Sequence, residues 1–263
     1  QAVTWVAVVC ALVARVTGGA YDPCELQTVS KGGPFTLGLA FLPTADLSAW
    51  RGMKPCATEE RAALAAAGGA AAVYRAGVDD LATLRGTVAD EDALAANGGN
   101  ELSVVAFHGD VRSPARIVRH ASNGGRVQAL TLIARFNGGK LEYLQWHEQG
   151  CSECGGKKSP TCVQSGRPED SVVCVDTEAQ CSCDATGDDA CAELPSTACH
   201  LAVTVAFAGT DKNSVPLKTG LQVESLGAFS VTAMWAGRGD ISVDFSGMIN
   251  TFSGGDDEDR DSR

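Results

Sequence analysis

The chain has 263 residues, of which 20% are charged and 44% hydrophobic, the balance of an ordinary folded protein; this excludes a coiled coil, a collagen-like repeat and a wholly disordered chain. A formal net charge of -11 without any Lys/Arg-rich run removes a general attraction for phosphate and excludes nucleic acid as a partner. Eleven cysteines are out of place in a reducing cytosol, where thiols stay unpaired and reactive, and point to an oxidising compartment.

From the beginning of the chain, Ala2 to Ala14 form an apolar run, followed by Arg15 and by small residues ending in Gly18-Gly19-Ala20. This is the pattern of a secretory signal, so residues 1–20 are read as a signal peptide cleaved near Ala20 and the protein as secreted. The run is shorter than the ~18 to 20 residues that cross a bilayer, and no stable transmembrane anchor is expected; the alternative is a protein held at the membrane by an uncleaved N-terminal segment. Cleavage removes Cys10 and leaves an even number of cysteines suited to complete pairing.

Cys24 and Cys56 flank the first predicted strand, Phe35-Thr36-Leu37-Gly38-Leu39-Ala40-Phe41, and are expected to tie the start of the mature chain to the sheet. The large residues of that strand all fall on odd positions, which predicts one face carrying the bulk. Thr58 to Ala67 reads as a helix, because Ala, Glu, Arg and Leu favour it and Gly68-Gly69 can end it. Asp90 to Ala96 reads as one further short turn. Strands are predicted over Ala71 to Arg75 and Glu101 to Phe107. A hairpin is predicted from Val127 to His147, with Leu130, Leu132, Ala134 and Phe136 on one face and Asn137-Gly138-Gly139-Lys140 as the turn, where glycine supplies positive φ. Three more strands are predicted over Leu201 to Phe207, Ser230 to Trp235 and Ile241 to Phe245. The segments Val105 to Asp110 and Val205 to Asp211 resemble each other, which alternating strands ending in a Gly-Asp turn explain without duplication. Many short strands between Gly-rich turns, without repeated βαβ patterns, predict a mainly β protein: an antiparallel β-sandwich or barrel-like domain with a disulfide-rich loop insertion.

The insertion is residues 151–199. It holds Cys151, Cys154, Cys162, Cys174, Cys181, Cys183, Cys191 and Cys199 among Gly, Ser, Thr, Pro and acidic residues, too few apolar side chains for a core of its own. Disulfides supply the order that burial cannot, at about 2 to 4 kcal/mol each. The connectivity of the eight stays open. Cys151-x-x-Cys154 is also half of a zinc ribbon, with Cys181-x-Cys183 as the other half, but the second spacing is wrong for a zinc knuckle. A thioredoxin-like reading of Cys151-x-x-Cys154 lacks its βαβ context. Asp184, Asp188 and Asp189 follow no calcium-loop order. Residues 21–150 and 200–252 are read as a single β domain, and 253–263, polar and charged throughout, as a disordered acidic tail.

Several blocks carry a family resemblance: Asp22-Pro23-Cys24, Phe35 to Phe41, Pro55-Cys56, Lys140-Leu141-Glu142-Tyr143-Leu144-Gln145-Trp146, Gly150-Cys151-Ser152-Glu153-Cys154 and Ala206-Phe207-Ala208-Gly209-Thr210-Asp211-Lys212. In these the chain resembles a family of secreted plant and green-algal proteins called simply expressed proteins. The resemblance implies secretion and assigns no chemistry. The chain departs from the land-plant pattern in an extra cysteine pair and more acidic residues in the insertion, and in the Ala-rich stretch Ala62 to Ala72, where family members read as strand.

No nucleophile elbow, zinc-binding helix, phosphate loop or dinucleotide fingerprint occurs, so no catalytic residue, resident metal or cofactor is nominated. His108, His120, His147 and His200 are scattered; His108-Gly109-Asp110 at a strand end is the most suggestive, and a solvated turn histidine is its simpler reading. The acid pairs Glu142 with Glu148 and Asp240 with Asp244 would suit glycoside hydrolysis at about 5 to 9 Å. Trp146 shares a face with Leu144 and reads as core. Tyr143, Gln145 and His147 lie on the opposite face and form the candidate ligand patch. The resulting expectation is a secreted, non-catalytic extracellular or cell-surface protein that binds wall carbohydrate or another extracellular protein. The alternative is an extracellular glycoside or ester hydrolase.

Overall fold

The strand that begins the sheet structure, β1 (Pro34–Leu42), is buried along eight of its nine residues. Its odd positions Phe35, Leu37, Leu39 and Phe41 enter the main core, as the alternation predicts. The even positions are buried as well, which the alternation does not predict: Ala40 and Leu42 pack with Trp50, Leu64, Val105 and Phe107 in a second, smaller core. Gly38 makes that possible, because a Cβ there would overlap the Phe107 ring.

The computed structural model describes residues 22–85, 94–120, 125–127, 129–147, 150–151, 154–166, 172–176, 201–226 and 240–242. Among these, two sheets face one another across the main core. The first contains β1, β2 (Ala70–Gly77), β4 (Leu102–His108), β5 (Val111–Arg112), β6 (Arg116–Arg119), β7 (Arg126–Val127), β10 (Cys162–Gln164) and β11 (Val172–Asp176). Its order is β10-β11-β7-β6-β4-β1-β2, with β5 beside β4. The second contains β3 (Ala82–Arg85), β8 (Ala129–Asn137), β9 (Lys140–His147), β12 (Ala202–Thr210), β13 (Pro216–Leu217) and β14 (Asp240–Ser242). Its order is β14-β3-β12-β8-β9, with β13 beside β12. The protein is mainly β, with mostly antiparallel pairing, and among the described residues the sheets do not close into a barrel. Two pairings are parallel, β12 with β8 and β14 with β3; β12 is reached from β8 only after the chain has passed through β9, β10 and β11, a crossover that permits parallel pairing.

Phe35 of the first sheet meets Phe136 and Phe207 of the second edge-on, at centroid separations of 5.2 and 6.1 Å. Burying each such ring is worth roughly 1.5 to 3 kcal/mol, so these three side chains join the layers. The hairpin β8–β9 turns at Gly138 and Gly139, with φ of 57° and 77°, the two positive angles a tight hairpin requires. The segments 105–110 and 205–211 end β4 and β12 and so lie in different sheets.

Helix α1 (Thr58–Ala66) stands where the sequence predicts a helix, and β2 follows from Ala70. The Ala-rich stretch is thus divided between helix and strand. With a short 3-10 turn at Leu47–Trp50, α1 covers the outer face of β1 and β4. Trp50 Nε1 donates to Ser103 Oγ at 2.9 Å. The disulfide Cys24–Cys56, with Cα atoms 5.3 Å apart, closes this cap, and both cysteines pack against the second core. The turn expected at 90–96 is helical at 94–96, its first residues lying outside those described. The expected strand Ile241 to Phe245 meets β14 at Ile241 and Ser242, and Ser230 to Trp235 lies outside the described residues.

A polar clasp joins the loops at one end of the two layers. Asp211 Oδ2 accepts from the Lys31 backbone N–H at 2.9 Å, and Oδ1 accepts from those of Asn213 and Val215 at 2.8 Å each. Asp79 Oδ1 accepts from the Lys218 and Thr219 N–H groups at 2.7 and 2.9 Å at the start of helix α2 (Thr219–Leu226). Asp79 Oδ2 also pairs with Lys31 Nζ at 2.7 Å. Burial opposes ionisation of Asp79, but Lys31 and the donors at 218–219 outweigh it and hold its carboxyl below the ordinary value. At Asp211 the Lys31 N–H, against a smaller effect of burial, does the same with Val215 and Asn213. With folded values below the ordinary 3.8, the clasp contributes fully above that pH and is lost as pH falls through the folded values. Asp79→Asn is expected to cost about 1 kcal/mol at neutral pH, the difference between charged and neutral hydrogen bonds. It is also expected to flatten the fall in melting temperature below pH 4, read by circular dichroism melts of both proteins.

Candidate functional site

The open face of the second sheet is shaped by a bulge in β9. Arg135 pairs with Tyr143 but Phe136 pairs with Leu141, so Glu142 has no partner across the ladder. One extra residue shifts the alternation: Leu141, Leu144 and Trp146 face the core, while Glu142, Tyr143, Gln145 and His147 face out. The expected core role of Trp146 and Leu144 is what the structure shows. Tyr143 retains 39% of its surface, Gln145 is exposed and His147 half-buried.

These three side chains line a shallow groove of about 420 Å³ together with Ile133 and Arg135 of the adjacent β8 and with Leu217 and Leu221 beyond β12. Among the described residues, no carboxylate belongs to its lining. Arg135 lies with its guanidinium carbon 5.9 Å from the Tyr143 ring centre. Its Nε donates to Glu142 Oε2 at 3.3 Å, while Asn137 Nδ2 donates to the other oxygen at 2.9 Å. Hydrogen bonding to Tyr143 first, and then to Glu142, holds Arg135 above its ordinary value and keeps it a cation. Arg135 was legible in principle as an outward position between Ala134 and Phe136. Leu217 and Leu221 were not, because only the pairing of β13 with β12 brings their segment to this face.

His108 is not the solvated turn residue of the simpler sequence reading. It is buried, at 2% exposure, and its ring packs 4.8 Å from that of Phe35. Nδ1 donates to the Thr36 carbonyl at 2.9 Å and Nε2 accepts from the Gln27 N–H at 3.4 Å, in the neutral tautomer that satisfies both. The ring therefore straps residues 22–30 across β1. His120 is half-buried, with burial lowering its value against Glu101 and the Gln164 backbone. His200, Glu148 and Asp244 lie outside the described residues, while Glu142 is engaged by Arg135 and Asn137.

Of the insertion, β10 and β11 form a hairpin, and β11 extends the first sheet through Val175 opposite Val127. Disulfides join Cys151 to Cys162 and Cys154 to Cys174, with Cα separations of 5.6 and 5.8 Å. Both cysteines of the Cys151-x-x-Cys154 spacing are thereby bonded to sulfur. Cys181, Cys183, Cys191, Cys199 and the aspartates 184, 188 and 189 lie outside the described residues.

The family model described as uncharacterised protein DDB_G0273449 matches residues 103–250. The chain belongs to this family. The match runs from β4 to beyond β14 and takes in the bulged hairpin, the groove lining and all four cysteines of the two insertion disulfides. No curated protein and no solved structure matches the chain.

Burial, against smaller effects of the Thr36 carbonyl and Asp22, holds His108 below its ordinary value of 6.5. The unfolded chain binds this proton more readily, so the contribution of the strap is complete above pH 6.5 and declines as pH falls from there. Melting temperature is expected to fall between pH 7 and 5, and His108→Gln to remove part of that fall. His120, shifted in the same direction, retains the rest.

Proposed function

We propose that this is a secreted, disulfide-stabilised binding protein without catalytic machinery, whose groove on the second sheet holds an extracellular carbohydrate. The observation that carries the reading is the exposed Tyr143, set beside Arg135, Gln145 and His147 in a concavity whose described lining has no carboxylate. A sugar ring presents an apolar face and a rim of hydroxyls. A tyrosine held on a rigid strand matches the face, and amide, imidazole and guanidinium groups match the rim. A glycosidase needs two carboxyl groups facing across the substrate; the described part of the lining offers none, which favours the binding reading over the hydrolase.

Secretion is supported by three disulfides, by the signal-like residues 1–20 and by the resemblance to secreted plant and green-algal proteins. Among the described residues no helix is long and apolar enough to cross a membrane. In this reading residues 21–150 and 200–252 are the binding domain and 151–199 an insertion braced against it.

The test is a glycan-array screen of the mature protein, followed by titration of the best ligand. Tyr143→Ala is expected to weaken binding at least tenfold, about 1.4 kcal/mol, and His147→Ala severalfold, with melting temperatures unchanged. Unaltered affinity in both variants, or cleavage of the bound glycan, contradicts the proposal.

A further inference from the structure

We infer that Cys151, Cys154, Cys162 and Cys174 form a thiol-exchange site with two interchangeable disulfide pairings. The observed pairing is Cys151–Cys162 with Cys154–Cys174. The backbone register, however, sets Cys162 directly opposite Cys174 on the antiparallel strands β10 and β11. Residues so placed have Cα atoms about 4.5 to 5.5 Å apart, inside the range a disulfide spans. Cys151 and Cys154 have the two-residue spacing of exchange-active dithiols. The sulfur atoms of Cys151, Cys154 and Cys174 all lie within 4.8 Å of one another. A second complete pairing, Cys151–Cys154 with Cys162–Cys174, is therefore within reach of the same four residues.

The co-reactant is a small-molecule thiol. Cys151 is buried, whereas Cys154, Cys162 and Cys174 are half-buried; the route begins with attack at Cys174. The external thiolate bonds to Cys174 Sγ and releases the Cys154 thiolate. Cys154 attacks Cys151 Sγ and releases the Cys162 thiolate. Cys162 attacks the mixed disulfide at Cys174, forms Cys162–Cys174 and returns the external thiolate. Three sulfur–sulfur bonds form and three break counting the transient one, and no oxidant or reductant is consumed.

The two pairings hold the chain differently. The observed one ties the turn beginning at Gly150, which bridges to Val173, to both strands of the β10–β11 hairpin. In the other, turn and hairpin are each closed on themselves. Exchange thus releases the turn at Gly150 from the β10–β11 hairpin, and it is independent of whether the groove binds carbohydrate.

The test uses the oxidised full-length protein in a mixture of reduced and oxidised glutathione, quenched with acid and alkylated. Digestion with trypsin and a glutamate-specific protease separates all four cysteines, because Glu153, Lys157 and Glu169 lie between them in sequence. Mass spectrometry is expected to find peptides linked through Cys151–Cys154 and Cys162–Cys174, rising together to about a tenth or more of the native pairs, with no gain in free thiols. The Cys154→Ser/Cys174→Ser double variant is expected to keep Cys151–Cys162 unchanged under the same treatment. Native pairs that persist until free thiols accumulate, or new pairs scattered over Cys181 to Cys199, overturn the inference.

Discussion

The structure depends on the burial of β1 on both faces. A strand with one buried face needs one partner layer; β1 needs two. Its odd positions pack against the second sheet through Phe35, Phe136 and Phe207, and its even positions lie beneath Trp50, Leu64 and Phe107. The inner contact fixes how the two sheets face each other. The outer contact recruits residues 47–66 as a cap, which the Cys24–Cys56 disulfide closes. His108 belongs to the same arrangement, since its ring lies against Phe35 while it ties residues 22–30 across β1.

With β1 and β4 capped in this way, the open face among the described residues is that of the second sheet. There the β9 bulge brings Glu142 and Tyr143 to the same side, and Glu142 in turn holds Arg135 beside the Tyr143 ring. The groove is thus a consequence of register: without the extra residue, the core positions Leu144 and Trp146 would trade faces with Tyr143 and Gln145. The carbohydrate reading rests on this local geometry, and family membership adds no activity to it.

Much of this was legible in the chain. Alternation located β1, β4, β8, β9 and β12, the Gly-Gly turn located the hairpin, and Ala, Glu and Leu located α1, because in these segments local preference and burial agree. The second core was not legible, since Gly38 and Ala40 read as an empty face and only Phe107, brought alongside by β4, fills it. Strand β6 escaped notice, and Val127 of β7 was read as the start of the hairpin although it belongs to the first sheet, because Arg116, Arg119 and Arg126, all buried, interrupt any apolar pattern. Asp211 stood out within the Ala206-to-Lys212 block, yet its role as an acceptor for three backbone N–H groups requires the neighbouring Lys31 loop. The disulfide partners of Cys151 and Cys154 depended likewise on the β10–β11 pairing. The patch Tyr143, Gln145 and His147 was visible from strand period alone; the rest of the groove came from segments distant in sequence.

Native-state hydrogen exchange of the oxidised protein tests the double burial of β1 most directly. Amides of β1 and β4 are expected to exchange as slowly as those of β8 and β12 and only through global unfolding, with Trp50 Nε1 protected alongside them. Exchange of β1 at the rate of an exposed edge strand, with β8 and β12 still protected, would contradict the account.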